Sequence, residues 1–241
     1  MIDGIITVRT SSKRLKKKCL LQLGKKNILE HVIDRAKHFN INPIVCTTRN
    51  KSDDVIANIA KKKKVRFYRG DTNDKLIRWK NACQKFNIVK FITIDADDPF
   101  FDGELSKISY QYLNQGYDFI KHSKNQPYKG FYEGCVGYGI KYEILKKACD
   151  IKKIKNTEMM WKFIEKVPGI KIKHLDKAKQ YKNINPIRLT LDYFEDYILI
   201  KSVFELLGHY ATRLQIIKFF KKNPDIYHVN WFRNDEYKKN L

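Results

Sequence analysis

At 241 residues the chain is long enough for one sizeable core, and a content of 43% hydrophobic and 13% aromatic residues excludes wholesale disorder. No apolar run reaches the roughly 18 residues that cross a bilayer. The opening Met1-Ile2-Asp3-Gly4-Ile5-Ile6 has neither the basic flank nor the cleavage site of a signal peptide, so a cytoplasmic protein without membrane association is expected. Five cysteines, an odd number without a CxxC pair, read as buried thiols in a reducing compartment. The formal net charge of +23 would suit a nucleic-acid partner, but the lysines are scattered as on solvated faces and no nucleic-acid motif is visible. A basic surface suits a triphosphate or a sugar carboxylate equally well.

The predicted elements alternate from the start. Residues 4–8 read as a short strand and 28–39 as a helix, with Ile28, Leu29, Val32, Ile33, Ala36 and Phe39 recurring on one face. Residues 43–48 form a buried strand, and Ser52 is expected to cap a helix through Ala60. A strand at 65–68, a helix at 72–86 and a strong strand at 88–94 follow, the last running into Asp95-Ala96-Asp97-Asp98-Pro99. After a helix at 103–114 the pattern loosens. Residues 117–122, 134–140, 170–175 and 186–191 read as strands, then 194–207 and 212–221 as helices. This order predicts a single α/β domain over 1–241 with a less regular segment at about 117–185. In such sheets ligands gather at the carboxyl ends of strands, which draws the residues after Val8, Thr48, Tyr68 and Ile94 to one crevice.

Three segments carry chemistry. The loop Val8-Arg9-Thr10-Ser11-Ser12-Lys13-Arg14-Leu15-Lys16-Lys17-Lys18 offers backbone N–H groups and fixed cations to a polyphosphate, or is merely a basic surface loop. The run Asp95-Ala96-Asp97-Asp98 places three mutually repelling carboxylates at a strand end, a pattern that a hard cation such as Mg²⁺ or Mn²⁺ relieves. Asp192 closes Arg188-Leu189-Thr190-Leu191-Asp192 and opens a helix, where it could cap with Glu195 in a capping box, bind metal, or do both.

Taken together the motifs resemble the cytidylyltransferase family that includes the spore-coat polysaccharide F-type proteins and the acylneuraminate and 3-deoxy-manno-octulosonate cytidylyltransferases. The N-terminal loop resembles A-R-x-x-S-x-R-L-P-G-K, with Lys16-Lys17 in place of Pro-Gly. Leu23-Gly24-Lys25-Lys26-Asn27-Ile28-Leu29-Glu30-His31-Val32 is similar to L-x-G-K-P-x-L-E-H-V, with Asn27 for Pro. Arg69-Gly70-Asp71-Thr72-Asn73-Asp74-Lys75-Leu76-Ile77-Arg78 resembles R-G-x-x-x-D-V-L-x-R, and Asp97-Asp98-Pro99-Phe100-Phe101-Asp102 resembles G-D-C-P-L-I-D, with Asp95-Ala96 where Thr-Gly is usual. Leu189-Thr190-Leu191-Asp192 through Asp196 resembles L-T-L-D-T-P-E-D.

The resemblance implies a Rossmann-like mixed sheet of the nucleotide-diphospho-sugar transferase (GT-A-like) fold, Mg²⁺ with Mn²⁺ as its substitute, and a homodimer. It implies transfer of CMP from CTP to a sugar, sugar acid or sugar phosphate, with pyrophosphate released, in surface glycan biosynthesis. Carried over by position, Arg9, Ser12, Arg14 and Lys18 hold the triphosphate, Asp97 and Asp192 the metal, and Thr48, Arg69, Asp74 and Arg78 the nucleotide side of the pocket. Arg14, Lys18 and Asp97 are the expected catalytic groups, and Tyr132, Glu133 and Glu158 are candidates for the acceptor. The rival expectations are a glycosyltransferase that uses Asp95-Ala96-Asp97 as a DxD motif, a basic nucleic-acid-binding protein, and a family member that only binds ligand.

Overall fold

The computed structural model describes residues 1–122, 132–175 and 185–239. Six strands and four helices make up the first half: β1 (Ile2–Thr7), β2 (Gln22–Leu23), β3 (Lys26–Asn27), α1 (Ile28–His38), β4 (Ile41–Thr48), α2 (Asp54–Lys62), β5 (Arg66–Gly70), α3 (Lys75–Phe86), then β6 (Lys90–Asp95) and α4 (Gly103–Asn114). The second half holds β7 (Phe119–His122), β8 (Gly139–Lys141), α5 (Tyr142–Ile151), α6 (Trp161–Ile164), β9 (Ile172–Leu175), α7 (Phe194–Leu207), α8 (Arg213–Lys222) and α9 (Arg233–Lys239).

Seven strands form one mixed sheet in the order β5-β4-β1-β6-β8-β7-β9, while β2 and β3 make a small separate hairpin. Strands β5, β4, β1 and β6 are parallel, and β8 runs antiparallel to both β6 and β7. The carboxyl ends of β1, β4, β5 and β6 therefore meet on one edge of the sheet, and the chemistry-bearing loops leave from there.

The sheet is buried on both faces, as its near-continuous apolar strands require. One core packs Ile6, Val45, Ile92 and Ile94 against α1, α4 and α7, and the other packs Ile5, Ile44, Phe91 and Ile140 against α3 and α5. All five cysteines are buried free thiols.

Local chemistry accounts for the helix ends. Asn27 stands where the resembling proteins have Pro and caps α1, accepting from the Glu30 N–H at 2.9 Å while the Glu30 carboxylate accepts from the Asn27 N–H at 3.1 Å. Asp74 caps α3, so that helix begins three residues later than the sequence pattern predicts. Ser52 does not cap α2. It lies in a 3₁₀ turn, Lys51–Asp53, that precedes the helix.

Two predicted strands are corrected. The stretch 186–191 makes only an isolated bridge to Glu133, because its N–H groups divide between two partners: Leu189 bonds Glu133 and Leu191 bonds Asp97. The strand expected at 134–140 shrinks to β8. Its front half turns at Gly134, and Gly137 then crosses so close to the Thr93 carbonyl that an added Cβ would lie 2.0 Å from that oxygen.

Candidate active site

The site is assembled from the β1 loop, the β6 end and the segment leading into α7. The β1 loop is pinned first. Asp53, wholly buried, accepts from the Thr10 N–H at 2.8 Å, the Thr10 hydroxyl at 2.7 Å and the Thr48 hydroxyl at 2.5 Å. These bonds outweigh burial and hold the Asp53 carboxyl below the usual carboxylate range. Thr48 thus acts through Asp53 to fix the loop, and its own side chain has no exposure. Farther along, Lys17 adopts φ of 52° at the position where the resembling proteins carry glycine. The left-handed turn is kept without the residue that takes it freely, at a cost of about 1–2 kcal/mol.

The turn delivers Lys18 to the floor of the crevice. Its ammonium lies 2.7 Å from Asp97 Oδ2 and 2.9 Å from Asp192 Oδ1, and donates to the Leu191 carbonyl at 2.7 Å. Carboxylates 95 residues apart in sequence are thereby brought to one cation. Arg14 Nη2 reaches the same Asp192 Oδ1 at 2.7 Å. Burial opposes the Lys18 charge, yet Asp97 and Asp192 hold its pKa above the ordinary lysine value. Burial likewise opposes the Asp192 charge, but Lys18, Arg14 and Arg188 keep its carboxyl below the usual range. At Asp97 the balance is reversed: partial withdrawal from water, with the charges of Asp192 and Asp95 added, outweighs Lys18 and raises its carboxyl. Withdrawal from water and Asp95 raise the neighbouring Asp98 further.

Among the described residues no three His, Cys, Asp or Glu side chains converge as a self-sufficient metal cage. Two carboxylates facing one cation position are the donor set a Mg²⁺-like ion uses when substrate phosphates and water complete its shell, so the residues present fit such an ion.

The rest of the expected set divides. Arg9 pairs with Glu158 at 3.4 Å, which brings a triphosphate candidate and an acceptor candidate together at the crevice rim. Ser12 is half-buried in the loop, its N–H bonded to the Thr10 carbonyl at 2.9 Å.

Arg69, Asp74, Arg78 and Tyr132 form scaffold instead of lining the pocket with free polar groups. Arg69 donates to the Thr48 and Asn50 carbonyls and pairs with Asp54. Asp74 is buried against Ile77 N, Thr157 and Lys152. Arg78 is buried and donates to the Asp71 carbonyl at 2.6 Å. Tyr132 is 3% exposed and its hydroxyl donates to the Phe100 carbonyl at 2.6 Å, so it belongs to the core. Glu133 is half-buried and bonds through its backbone to Ile187 and Leu189. Tyr132 and Glu133 belong to a Gly- and Tyr-rich stretch at 128–139, of which residues 128–131 lie outside the described residues.

The DxD expectation also meets a correction. Asp95 pairs with Lys75 at 3.2 Å while Asp97 pairs with Lys18, so the two acids serve different cations. The capping box at α7 is shifted by one residue. Tyr193 is the N-cap and the Asp196 carboxylate takes the N–H groups of Tyr193 and Asp192, each at 2.9 Å. Both Asp192 oxygens are left to side chains. Glu195, the other half of the expected box, pairs with Arg233 at 2.8 Å.

The cytidylyltransferase family profile matches residues 4–157, the span holding the β1 loop and the β6 carboxylates. The chain belongs to the cytidylyltransferase family. It is a nucleotidyltransferase enzyme with the nucleotide-diphospho-sugar transferase fold. An uncharacterized protein of Methanocaldococcus jannaschii is 32% identical over 237 residues, covering 95% of this chain and 94% of its own length. Among solved structures, a cytidylyltransferase from Leptospira borgpetersenii superposes with a TM-score of 0.80 at 25% identity, covering 94% of this chain and 96% of that one. CMP:2-keto-3-deoxy-manno-octonic acid synthetase complexed with CTP superposes at 0.63 with 12% identity, over 86% and 99% of the two chains, a likeness of fold. No described helix of this cytidylyltransferase is long and apolar enough to cross a membrane.

Arg188, Asp196 and Asn230 were missed from sequence. Arg188 and Asp196 lie at four-residue steps from Asp192, but nothing in the sequence links Asn230 to them.

Proposed function

We propose that this cytidylyltransferase transfers CMP from CTP to a sugar, sugar acid or sugar phosphate and releases pyrophosphate, working as a homodimer with Mg²⁺, or Mn²⁺ in its place, held by Asp97 and Asp192. The observation that carries the reading is the Lys18 ammonium set between those two carboxylates with Arg14 beside it. The family supplies the nucleotide, a related fold is known with CTP, and another, from Mycobacterium tuberculosis, with manganese.

The chemistry follows from charge. An acceptor hydroxyl or phosphate oxygen attacks the α-phosphorus in line, the bond from that phosphorus to the α,β-bridging oxygen breaks, and pyrophosphate leaves with the electron pair. An ion held by Asp97 and Asp192 would supply positive charge to the phosphoryl oxygens. Arg14 and Lys18, with Arg9 and the loop N–H groups near Ser12, bind the departing diphosphate and offset the charge that grows on the bridging oxygen.

Charge also dictates how ligands enter. Arg14, Lys18 and Arg188 balance Asp97, Asp192 and Asp196 one for one. With Arg14 and Lys18 seated on them, Asp97 and Asp192 would hold a divalent ion weakly; a triphosphate that draws both side chains to its phosphates would free those carboxylates, so ion and triphosphate would bind better together than apart.

A pyrophosphate-release screen of four triphosphates against sugar acids and sugar phosphates tests the activity. Release with CTP and one acceptor class is expected, and mass by light scattering gives the oligomeric state. No release with any pair, or transfer from a preformed nucleotide sugar without pyrophosphate, overturns the reading.

A further inference from the structure

We infer that Arg188 is a positioning residue for the metal-binding carboxylate, braced by Asp196 and by Asn230 from near the C-terminal end of the chain. The inference rests on the reading of Asp97 and Asp192 as ligands and extends it to residues that touch neither substrate nor ion.

Arg188 is a fully buried guanidinium between two carboxylates. Nε lies 2.9 Å from Asp196 Oδ1, and Nη2 lies 3.2 Å from Asp196 Oδ2 and 3.1 Å from Asp192 Oδ2. The Asp196 side chain has no exposure, and that of Asp192 is 7% exposed. Burying three charges is costly unless geometry and hydrogen bonding are good, and such clusters seldom stabilise a fold better than apolar residues would. A second use for the charge is therefore expected.

The geometry supplies one. Arg188 engages only Oδ2 of Asp192, while Oδ1 points at Lys18 and Arg14. The fork thus assigns the two oxygens: one is fixed inward and the other is presented to the crevice. Asp196 secures the arrangement twice over, by clasping Arg188 and by accepting the backbone N–H groups of Asp192 and Tyr193. Asn230, wholly buried, donates to the Arg188 carbonyl and to Asp196 Oδ1, both at 2.9 Å. On the opposite side Leu191 N–H bonds the Asp97 carbonyl at 2.7 Å, which sets the spacing between the two ligand segments. Asn230 comes from residues 224–230, well beyond the 4–157 span that the family profile matches.

Outer partners that orient a ligand typically change metal affinity 10- to 100-fold when lost. Arg188→Lys keeps the charge but not the fork, and Asn230→Ala removes the more distant brace. Both are assayed by Mn²⁺ titration followed by electron paramagnetic resonance, in the presence of a non-hydrolysable CTP analogue, with circular dichroism and a thermal melt as folding controls. Folded Arg188→Lys should bind Mn²⁺ at least tenfold more weakly than wild type, and Asn230→Ala by a smaller factor in the same direction. A folded Arg188→Lys that binds Mn²⁺ like wild type, while Asp97→Asn loses binding, overturns the positioning role and leaves the ligand assignment standing. If Asp97→Asn also retains wild-type Mn²⁺ affinity, the ligand assignment fails and this inference with it. Should Arg188→Lys not fold, wild-type Mn²⁺ affinity in Asn230→Ala serves as the overturning result.

Discussion

Two acidic segments meet in this enzyme and are built in opposite ways. The Asp95–Asp98 turn follows a central strand, stands partly in water, and gathers carboxylates whose withdrawal from water, with mutual repulsion added, raises Asp97 and Asp98. In the segment 188–196 Asp192 and Asp196 are buried, yet they are matched to Arg14, Lys18 and Arg188, and Asp192 is held below the usual range. At Asp97 burial and repulsion outweigh the cation present, while at Asp192 the cations outweigh burial. Lys18 touches both, and together with the Leu191 N–H bond to the Asp97 carbonyl it makes them one site.

The comparison can be broken most directly at Asp97. Asp97→Ala should leave the fold intact, because the residue is held by its backbone and faces solvent on one side, and should lower turnover by roughly 10²- to 10³-fold or more. Substantial turnover at saturating Mg²⁺ removes Asp97 from the chemistry.

Lys18→Met sharpens the comparison, since it removes the cation that the two segments share without altering either set of acids. Turnover should fall by about 10²-fold, whereas Mn²⁺ binding without nucleotide should tighten as a competing cation is removed. A parallel loss of both would show that Lys18 supports the ion instead of holding its place.

The smallest effect lies behind the acidic turn. His31, wholly buried, has Nε2 at 2.9 Å from the Pro99 carbonyl, so that nitrogen carries the proton, and Nδ1 accepts from His209 at 2.7 Å. Burial and the neighbouring His209 push the His31 pKa down to about 3. Its neutral form is the folded one, while the unfolded histidine takes up a proton near pH 6.5. Stability should therefore be full above about pH 6.5 and fall as the pH drops toward 4, by up to about 1.4 kcal/mol per pH unit from this histidine. Thermal melts between pH 7 and 4.5 measure the slope, and His31→Asn should flatten it.

Much of the first half was legible. Residues 28–39 show the period of α1, the helix expected at 103–114 is α4, and the alternation of strand and helix foretells parallel strands with a shared carboxyl edge. The second half was less so. The α5 helix was not anticipated, and residues 186–191 looked like a strand because Ile187, Leu189 and Leu191 alternate inward. Alternation reports burial and says nothing of which backbone partners are within reach.

Roles within motifs were the harder part. Arg69, Asp74, Arg78 and Thr48 sit at motif positions, but whether a polar side chain faces a ligand or a neighbouring carbonyl depends on packing that no local pattern encodes.

By itself the sequence determined the fold class, the edge of the sheet where chemistry gathers, and the residue types found there, since hydrophobic period and charge clustering are local properties of the chain. The tertiary structure alone decided that Lys18 lies between Asp97 and Asp192, that the cap of α7 falls on Tyr193 and Asp196, and that Asn230 braces the site from a distance. These depend on how far apart groups separated by tens to hundreds of residues finish in space, and electrostatic and hydrogen-bond energies are set by that separation.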